Sequence, residues 1–363
     1  MKLTCDTAKL RDVLQLIQPV CPQKTTLPIL TNVLLRAQSN SLEFTVSDLE
    51  LSIKTSIEAE VVAPGETTIP IKVFLEAIRR IKNKTVELFS NENNVLKITG
   101  SASMEILLNG LPASDFPTFS NLIDCNTIDI SGATLSRMIK HTSYAVSTDE
   151  SRRSLTGVCF SFGKVFDMVA TDGRRLSKYT AKDISCENAV QIIVPIKAIG
   201  LINQICYDKE KVTLKYSSNQ IEITGEKTTL ITRLIDGKYP NYEQVIPKNS
   251  TYGVDFNRQE FSDIISLSRI CVDKNSNPTV KLSFSNNKME MSAFNTEIGS
   301  IKEQLPIEFS GDSFDIAFNS TYLLDLCSNL EEKAFIMNII DSGSPSVIKA
   351  GDNFVCVLMP MRL

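Results

Sequence analysis

The chain repeats itself at an interval of about 125 residues. Pro-Ile-Lys, at the end of an apolar strand-like stretch, occurs at Pro70–Lys72 and again at Pro195–Lys197. Ile-Thr-Gly, at the end of an alternating strand-like stretch, occurs at Ile98–Gly100 and again at Ile223–Gly225. Solenoid repeats usually have periods of about 20–50 residues. An interval this long therefore indicates a duplicated domain.

A third copy follows at the same interval. One residue of a helical apolar stripe recurs at Leu10, Leu135 and Phe261, and the position of Pro195 corresponds to Asn319 in the third copy. Each stripe is followed by strand-like runs, so the chain is predicted to consist of three copies of one domain. The predicted domain limits are 1–121, 126–248 and 250–363.

Within one copy the hydrophobic pattern predicts a strand, a helix, several strands, a second helix and further strands. In the first copy the helices are predicted over Thr7–Val20 and Ile71–Ile81, with the first strand of the following sheet over Leu30–Arg36. Separate runs of helix and strand within one unit are typical of an α+β fold. We therefore expect two helices against antiparallel sheets in each copy.

Composition excludes several classes of protein. The hydrophobic fraction is 42%, and no apolar run approaches the roughly 20 residues that span a bilayer. The N-terminus lacks the apolar core of a secretion signal, so we expect a cytoplasmic protein. The nine cysteines are scattered without a C-x-x-C pair. This spacing favours buried, reduced thiols over disulfides or a zinc site.

Catalytic motifs are missing from the sequence. No P-loop, G-x-G-x-x-G or H-E-x-x-H occurs, and His141 is the single histidine. We expect His141 to be a partly exposed residue at a helix end. Asp172-Gly173 is a hairpin turn signal, so Asp172 needs no catalytic role. The sequence therefore predicts a protein that is not an enzyme and that needs no metal or cofactor.

Basic residues recur on the exposed faces of the predicted helices. They include Lys9, Arg11, Lys72, Arg79, Arg137, Lys140, Lys197, Arg258 and Arg269. A single basic face is usually only a solvated surface, but recurrence in several copies favours a surface for a polyanion. The net charge of −4 argues weakly against nucleic acid. Net charge is an average, however, and a field can be confined to one surface.

Two further stretches favour binding. The last residues of the chain include the apolar run Met359-Pro360-Met361. Chain ends, in contrast, are usually polar and frayed. This apolar tail either docks into the core or lines an adaptable binding surface, because methionine repacks around varied partners. The second stretch is Thr171–Leu176, in which two arginines follow the tight turn.

Taken together, these residues resemble the bacterial DNA polymerase III β subunit, the replicative sliding clamp. The similarity runs the whole length of the chain. It includes Leu27–Leu30, Ala170–Gly173 with Arg175-Leu176, Asp236–Pro240 and the closing Met359–Leu363. Any one of these motifs alone would be weak, but together with the triple duplication they are specific.

The resemblance implies a DNA sliding clamp built from three tandem DNA-clamp domains. Two chains would associate head to tail as a homodimer, each forming half of a closed ring around duplex DNA, with helices lining the hole. Contacts to phosphates are independent of sequence. The ring would tether the DNA polymerase III catalytic subunit, and other polymerases and repair proteins that carry clamp-binding peptides, for processive synthesis. A separate clamp loader complex would open it, and its location would be cytoplasmic and nucleoid-associated, away from membranes.

The resemblance also implies three sets of functional residues. The partner-peptide groove comprises Leu155, Thr171, Gly173, Arg174, Arg175, Leu176, Pro240, Gln244, Val245, Val357, Met359, Pro360, Met361, Arg362 and Leu363. The DNA-binding residues are Lys24, Lys72, Arg79, Arg152, Arg153 and Lys197. The dimer interface comprises Val73, Ala77, Ile106 and Leu108 against Cys271 and Val272. The sequence departs from the family at Arg174, where His is frequent, and at Gln244, where Arg is common.

The alternative from another class is a monomeric peptide-binding scaffold that does not encircle DNA. The mass in solution discriminates between the two, because a single 40.3 kDa species would contradict the ring.

Overall fold

The computed structural model describes residues 1–101, 104–117, 122, 125–207, 209–271 and 278–362. Within them each third of the chain has one order of elements: strand, helix, four strands, helix, three strands. The first copy comprises β1 (Lys2–Asp6), α1 (Thr7–Ile17), β2 (Asn32–Gln38), β3 (Ser41–Ser47), β4 (Leu51–Ala63), β5 (Gly65–Pro70), α2 (Ile71–Arg80), β6 (Thr85–Ser90), β7 (Val95–Ser101) and β8 (Met104–Asn109).

The second and third copies repeat this order. The second comprises β9 (Asn126–Ile130), α3 (Gly132–Thr142), β10 (Gly157–Phe162), β11 (Phe166–Thr171), β12 (Arg175–Ala181), β13 (Val190–Pro195), α4 (Ile196–Cys206), β14 (Val212–Tyr216), β15 (Gln220–Gly225) and β16 (Thr228–Arg233). The third comprises β17 (Tyr252–Asn257), α5 (Arg258–Leu267), β18 (Thr279–Ser285), β19 (Lys288–Asn295), β20 (Gly299–Pro306), β21 (Phe314–Asn319), α6 (Ser320–Asn329), β22 (Ala334–Ile339), β23 (Ser346–Ala350) and β24 (Phe354–Leu358). The predicted α+β fold with three tandem copies is confirmed.

Element ends differ from the predictions where proline intervenes. Helix α1 ends at Ile17, and Gln18–Val20 continues as a 3-10 turn, because Pro19 has no N–H for the α-helical bond. The strand predicted from Leu30 begins at Asn32, since Pro28–Thr31 forms a second 3-10 turn.

The same turn chemistry recurs between the third and fourth strands of every copy. The side-chain Oδ1 of Asp48 accepts from Glu50 N at 3.0 Å and Leu51 N at 2.7 Å. Asp172 Oδ1 and Asn295 Oδ1 accept in the same way from the backbone N–H groups two and three residues later. Asp and Asn favour this geometry because their short side chains mimic a backbone acceptor. The turn therefore marks equivalent positions in the three copies.

Contacts group the chain into two compact units that cut through the second copy. One unit is Met1–Leu135 with Gly200–Leu234, and the other is Ser136–Ile199 with Ile235–Leu363. The first unit contains a 12-stranded sheet, and the second contains an 8-stranded and a 4-stranded sheet. The domain limits expected from the sequence stay a prediction, because these units follow a different division.

Neighbouring copies are joined by antiparallel strand pairing. In the first unit β4 of copy one pairs with β16 of copy two, with Ile53 opposite Leu230. In the second unit β12 of copy two pairs with β24 of copy three, with Ser177 opposite Cys356. In both joints the fourth strand of one copy pairs with the eighth strand of the next. The backbone hydrogen bonds of the ladder therefore continue from one copy into the other.

Buried side chains follow the predicted stripes. Leu10, Leu135 and Phe261 have no exposed surface, and each lies on the first helix of its copy. All nine cysteines are free thiols, although Cys125 and Cys186 are only half-buried. Burial raises the pKa of the Cys159 thiol to about 12, so this side chain behaves as a small hydrophobe. Among the described residues no helix is long and apolar enough to cross a membrane.

His141 departs from the prediction of a partly exposed helix end, because it is fully buried. Its Nδ1–H donates to Arg137 O at 2.8 Å, and its Nε2 lies 3.4 Å from Glu332 Oε2. The ring packs against Tyr179 and Phe354, with centroids 5.0 and 5.3 Å away. The prediction was wrong because strand β24 and the segment after α6 cover this helix end, and helical periodicity carries no information about them.

Candidate functional site

A groove opens on the second unit beside the paired strands β12 and β24. Its volume is about 420 Å³. The groove is defined by its lining residues, which are Thr171, Gly173, Arg174, Arg175, Leu176, Gln244, Val245, Pro247, Pro345, Val357 and Met359. An apolar concave surface with a few polar groups is the usual form of a binding site.

The floor of the groove consists of core residues. Leu176 and Val357 face each other across the β12–β24 ladder, and each is 3% exposed. Beneath them Leu155, Tyr239 and Tyr242 belong to the same buried cluster. Burial raises the pKa of Tyr242 to about 12, so its phenol stays protonated. Because the floor is continuous with the core, the groove exists without an occupant.

One wall is the turn Thr171–Arg175. Thr171 Oγ1 donates to Arg175 O at 2.6 Å and accepts from Gly173 N at 3.1 Å. Gly173 has φ of +85°, and a Cβ at this position would lie 2.7 Å from Arg152 Nη1. Glycine is therefore favoured by the left-handed backbone, whereas the exposed end of the flexible Arg152 side chain moves away from a Cβ at little cost.

The rim combines exposed apolar and cationic groups. Met359 and Val245 are 44% and 53% exposed, and Gln244 and Arg174 are also exposed. The described lining residues include arginines and no carboxylates. The rim therefore suits an apolar ligand with neutral or anionic polar groups.

Arg175 differs from Arg174 because its guanidinium is paired with carboxylates inside the protein. Its side chain is 9% exposed and lies 3.1 Å from Asp172 and 2.7 Å from Asp325. Nη2 also donates to Tyr144 O at 2.6 Å. The guanidinium carbon lies 4.3 Å from the ring centroid of Tyr322, within cation–π range.

The C-terminal tail is docked on the protein, as one of the two interpretations of the sequence expected, and the other interpretation, a binding surface, stays a prediction. Met359 N donates to Arg174 O at 2.9 Å, and the Met359 side chain stands at the groove mouth. Met361 N donates to Ala317 O at 2.7 Å, and the Met361 side chain is half-buried beside Thr279. The tail is thus docked on the third copy while one methionine remains accessible.

The structure brings together most of the residues expected in the groove. Those that line it are Thr171, Gly173, Arg174, Arg175, Leu176, Gln244, Val245, Val357 and Met359. Leu155 lies beneath the floor, and Leu363 lies outside the described residues. Pro240, Pro360, Met361 and Arg362 are not among the lining residues. Sequence reasoning missed Pro247 and Pro345; Pro247 could have been found from its nearness to Val245, whereas nothing in the pattern marks Pro345.

The residues expected to contact DNA are all exposed, on both compact units. Lys24, Lys72 and Arg79 belong to the first unit, and Arg152, Arg153 and Lys197 to the second. Arg79 is paired with Glu76 at 2.9 Å and Arg152 with Asp149 at 3.2 Å.

Other cations of the helix faces are less available than the sequence suggested. Arg11 and Arg258 are half-buried, and Arg258 Nη1 donates to Cys327 O at 3.1 Å. Arg137 and Lys140 both pair with Glu331, at 3.0 and 3.4 Å. The basic faces are therefore partly neutralised within the chain.

The residues expected at a chain–chain interface differ in exposure. Val73 on α2 is 53% exposed, whereas Ala77 and Cys271 are buried. Ile106 and Leu108 are half-buried on β8. Val272 lies outside the described residues. In the described part of the chain no three His, Cys, Asp or Glu side chains form a candidate metal site.

Three copies joined by edge-strand pairing, with an apolar groove of about 420 Å³ at one joint, form the architecture of a three-domain clamp. Family profiles of the DNA polymerase III beta subunit match the chain in order: the N-terminal domain over residues 1–120, the central domain over 129–241 and the C-terminal domain over 243–362. The chain belongs to this family, the β sliding clamps.

Individual relatives agree along the whole length. The beta sliding clamp of Chlamydia pneumoniae is 30% identical over 366 residues, covering 100% of this chain and 99% of the relative. The solved sliding clamp of Pseudomonas aeruginosa bound to griselimycin is 29% identical with a TM-score of 0.94, over 100% of both chains. The solved DNA polymerase sliding clamp of Bacillus subtilis is 27% identical with a TM-score of 0.94, over 100% of this chain and 99% of that one.

Membership makes the protein a DNA sliding clamp, a replication subunit without catalytic activity of its own. These relatives give no support to the alternative of a scaffold that does not act on DNA.

The structure of the groove predicts that substitutions in its floor lower the free energy of unfolding much more than substitutions on its rim. Val357→Ala removes buried methyl groups and should lower the free energy of unfolding by about 1–3 kcal/mol. The matched control Val245→Ala, at 53% exposure on the rim, should change it by less than about 0.5 kcal/mol. Urea unfolding followed by circular dichroism measures both; equal losses would show that the floor is not part of the core.

Proposed function

We propose that this clamp closes as a head-to-tail homodimeric ring around duplex DNA and tethers the replicative polymerase and other DNA-processing proteins through its groove. The proposal rests on the strand pairing that joins neighbouring copies in two places, β4 with β16 and β12 with β24. In both, the fourth strand of one copy pairs with the eighth strand of the next. Copy three has a fourth strand, β20, and copy one an eighth strand, β8, and both lie at sheet edges. An exposed edge strand is a template for another chain.

The rule assigns a register to β20. Ser52, Leu176 and Ser300 correspond, because each pairs with the residue before the Asx turn of its copy. The next residues in the first two copies, Ile53 and Ser177, pair across the joints with Leu230 and Cys356. The corresponding residue of copy three is Ile301.

The partner residue on β8 follows in the same way. Leu230, which pairs with Ile53 across the first joint, pairs with Ile223 inside its own copy. Ile98 begins the same Ile-Thr-Gly motif in copy one and pairs with Ile106. The proposed register therefore sets Ile301 of one chain opposite Ile106 of the other. In this antiparallel register Lys302 faces Glu105, and Ser300 faces Leu107.

Helix charges favour the same partner. In the second joint the basic residues Arg137 and Lys140 of α3 meet Glu331, just after α6. The interval between copies makes Asp263 of α5 the counterpart of Arg137, and Lys82 after α2 the counterpart of Glu331. The signs of this one pair are reversed, because Asp263 is acidic and Lys82 is basic, whereas the counterpart of Lys140 on α5 is the neutral Ser266. Charge reversal of this kind selects one partner surface against another.

Exposed apolar side chains surround these edges. Leu107 on β8 is 59% exposed, Val73 on α2 is 53% exposed, and Ile270 after α5 is 60% exposed. Large side chains left in water beside a free strand edge favour an interface. The proposed interface comprises these exposed side chains together with the residues that the family resemblance implies. Those residues are Val73, Ala77, Ile106, Leu108, Cys271 and Val272.

DNA would be held by topology and by weak contacts to phosphates. The proposed contacts are the exposed Lys24, Lys72, Arg79, Arg152, Arg153 and Lys197. Phosphate contacts are independent of sequence and weaken with salt. A closed ring needs little affinity from them, which is consistent with a net charge of −4.

The groove would take a short peptide with a glutamine and two or three hydrophobic anchors. Support comes from its apolar floor, its hydroxyl and cationic rim, and its volume of about 420 Å³. The proposed carriers are the DNA polymerase III catalytic subunit, the clamp loader complex, and other polymerases and repair proteins. The proposed location is the cytoplasm, associated with the nucleoid.

Ring closure predicts a specific disulfide. A chain carrying Leu107→Cys and Ser300→Cys should crosslink to a second chain on oxidation, because directly opposed positions have Cβ atoms about 4.5–5.5 Å apart. Non-reducing electrophoresis should give a species of two chains and none larger. The matched control with Asn109→Cys in place of Leu107→Cys is displaced by two residues and should crosslink at least about ten times more slowly. A ladder beyond two chains would indicate an open filament, and equal rates would refute the register.

Groove binding predicts a second contrast. A fluorescent peptide with one glutamine and three hydrophobic anchors should bind the protein, and Met359→Ala should weaken binding about five-fold or more by removing an anchor contact. Val62→Ala is the control, because Val62 is 65% exposed and is not among the residues that line the groove. Fluorescence anisotropy measures both. Unchanged affinity in Met359→Ala would remove the groove from the proposal.

A further inference from the structure

Arg175 connects the groove wall to the third copy. Its backbone belongs to the Thr171–Arg175 turn and to β12, whereas its guanidinium contacts Tyr322 and Asp325 on α6. Tyr144 adds a backbone acceptor at 2.6 Å and a ring whose centroid is 5.4 Å from the guanidinium carbon. Three hydrogen-bond partners and two aromatic faces therefore fix one side chain.

The geometry leaves little of this charge for a ligand. Only 9% of the Arg175 side chain is exposed, and Nε and Nη1 face the carboxylates of Asp172 and Asp325. Arg174, the next residue along the rim, is exposed. The two adjacent arginines thus have different roles: one is open to a ligand, and the other holds the wall.

The other copies provide an internal comparison. The position of Arg175 is occupied by Leu51 in copy one and by Gly299 in copy three. The interval between copies sets Asp325 of α6 against Leu201 in copy two. An arginine–aspartate link at this place is therefore not a requirement of the shared domain fold. It occurs at the joint that carries the groove.

We propose that Arg175 is a positioning residue, which fixes the Thr171–Arg175 wall against α6 in the form that accepts a partner peptide. The inference rests on the proposed function of the groove and adds that peptide binding is coupled to the Arg175–Asp325 contact between copies two and three. Asp325 is not among the residues lining the groove. In this proposal its influence on a peptide passes through Arg175.

The test is peptide affinity at two salt concentrations for Asp325→Asn, Arg175→Met and the matched rim variant Arg174→Met. The probe is a fluorescent peptide with one glutamine, three hydrophobic anchors and one carboxylate. Asp325→Asn should weaken binding about 3- to 10-fold although it touches no lining surface. Arg175→Met should weaken it at least as much, and the double variant no more than Arg175→Met alone. Neither should change the salt dependence, whereas Arg174→Met should flatten it by removing an exposed cation.

The outcomes separate this inference from the function on which it rests. If the unmodified protein does not bind the peptide, the groove proposal fails. If it binds and Asp325→Asn binds equally well, only the positioning role fails. A flattened salt dependence in Arg175→Met would show that its guanidinium contacts the peptide, which also overturns the inference. Thermal unfolding of Asp325→Asn should stay within a few degrees of the unmodified chain, which keeps the affinity result interpretable.

Discussion

Pairing between the edge strands of neighbouring copies is the interaction on which the rest of the structure depends. A strand edge presents unpaired N–H and C=O groups, and burying them unpaired is costly. Copies one and two each pair the edge of the fourth strand with the eighth strand of the next copy. The rule is satisfied twice inside the chain and leaves β20 and β8 for another molecule. The proposed closed ring would use the same backbone pairing that joins the copies.

The groove is a product of one of these joints. Its floor is the facing pair Leu176 and Val357, which are brought together only when β12 pairs with β24. The Arg175–Asp325 contact ties the same two copies from the side. The groove is therefore built from residues that the joint brings together. The first joint has Ser52 at the position of Leu176, so the same fold does not produce the same apolar floor there.

Much of the fold could be predicted from the sequence, because patterns that are weak alone recur in all three copies. Asp48, Asp172 and Asn295 align at one interval, and their turns prove to be the same Asx geometry. The sequence did not predict which distant elements pack against a given residue. The burial of His141 depends on strand β24, and the commitment of Arg175 depends on α6, both distant in sequence. A pattern of apolar residues predicts which face is buried but not which element covers it.

We propose that the protein holds DNA by closing around it as a ring. The most direct measurement is its retention on circular and on linearised plasmid after a high-salt wash, following loading with a cognate clamp loader and ATP. Electrostatic contacts weaken steeply with salt whatever the shape of the DNA. A closed ring should be retained on the circle and lost from the linear molecule, because only a DNA end releases it. Equal loss from both would contradict it and would leave ordinary electrostatic binding.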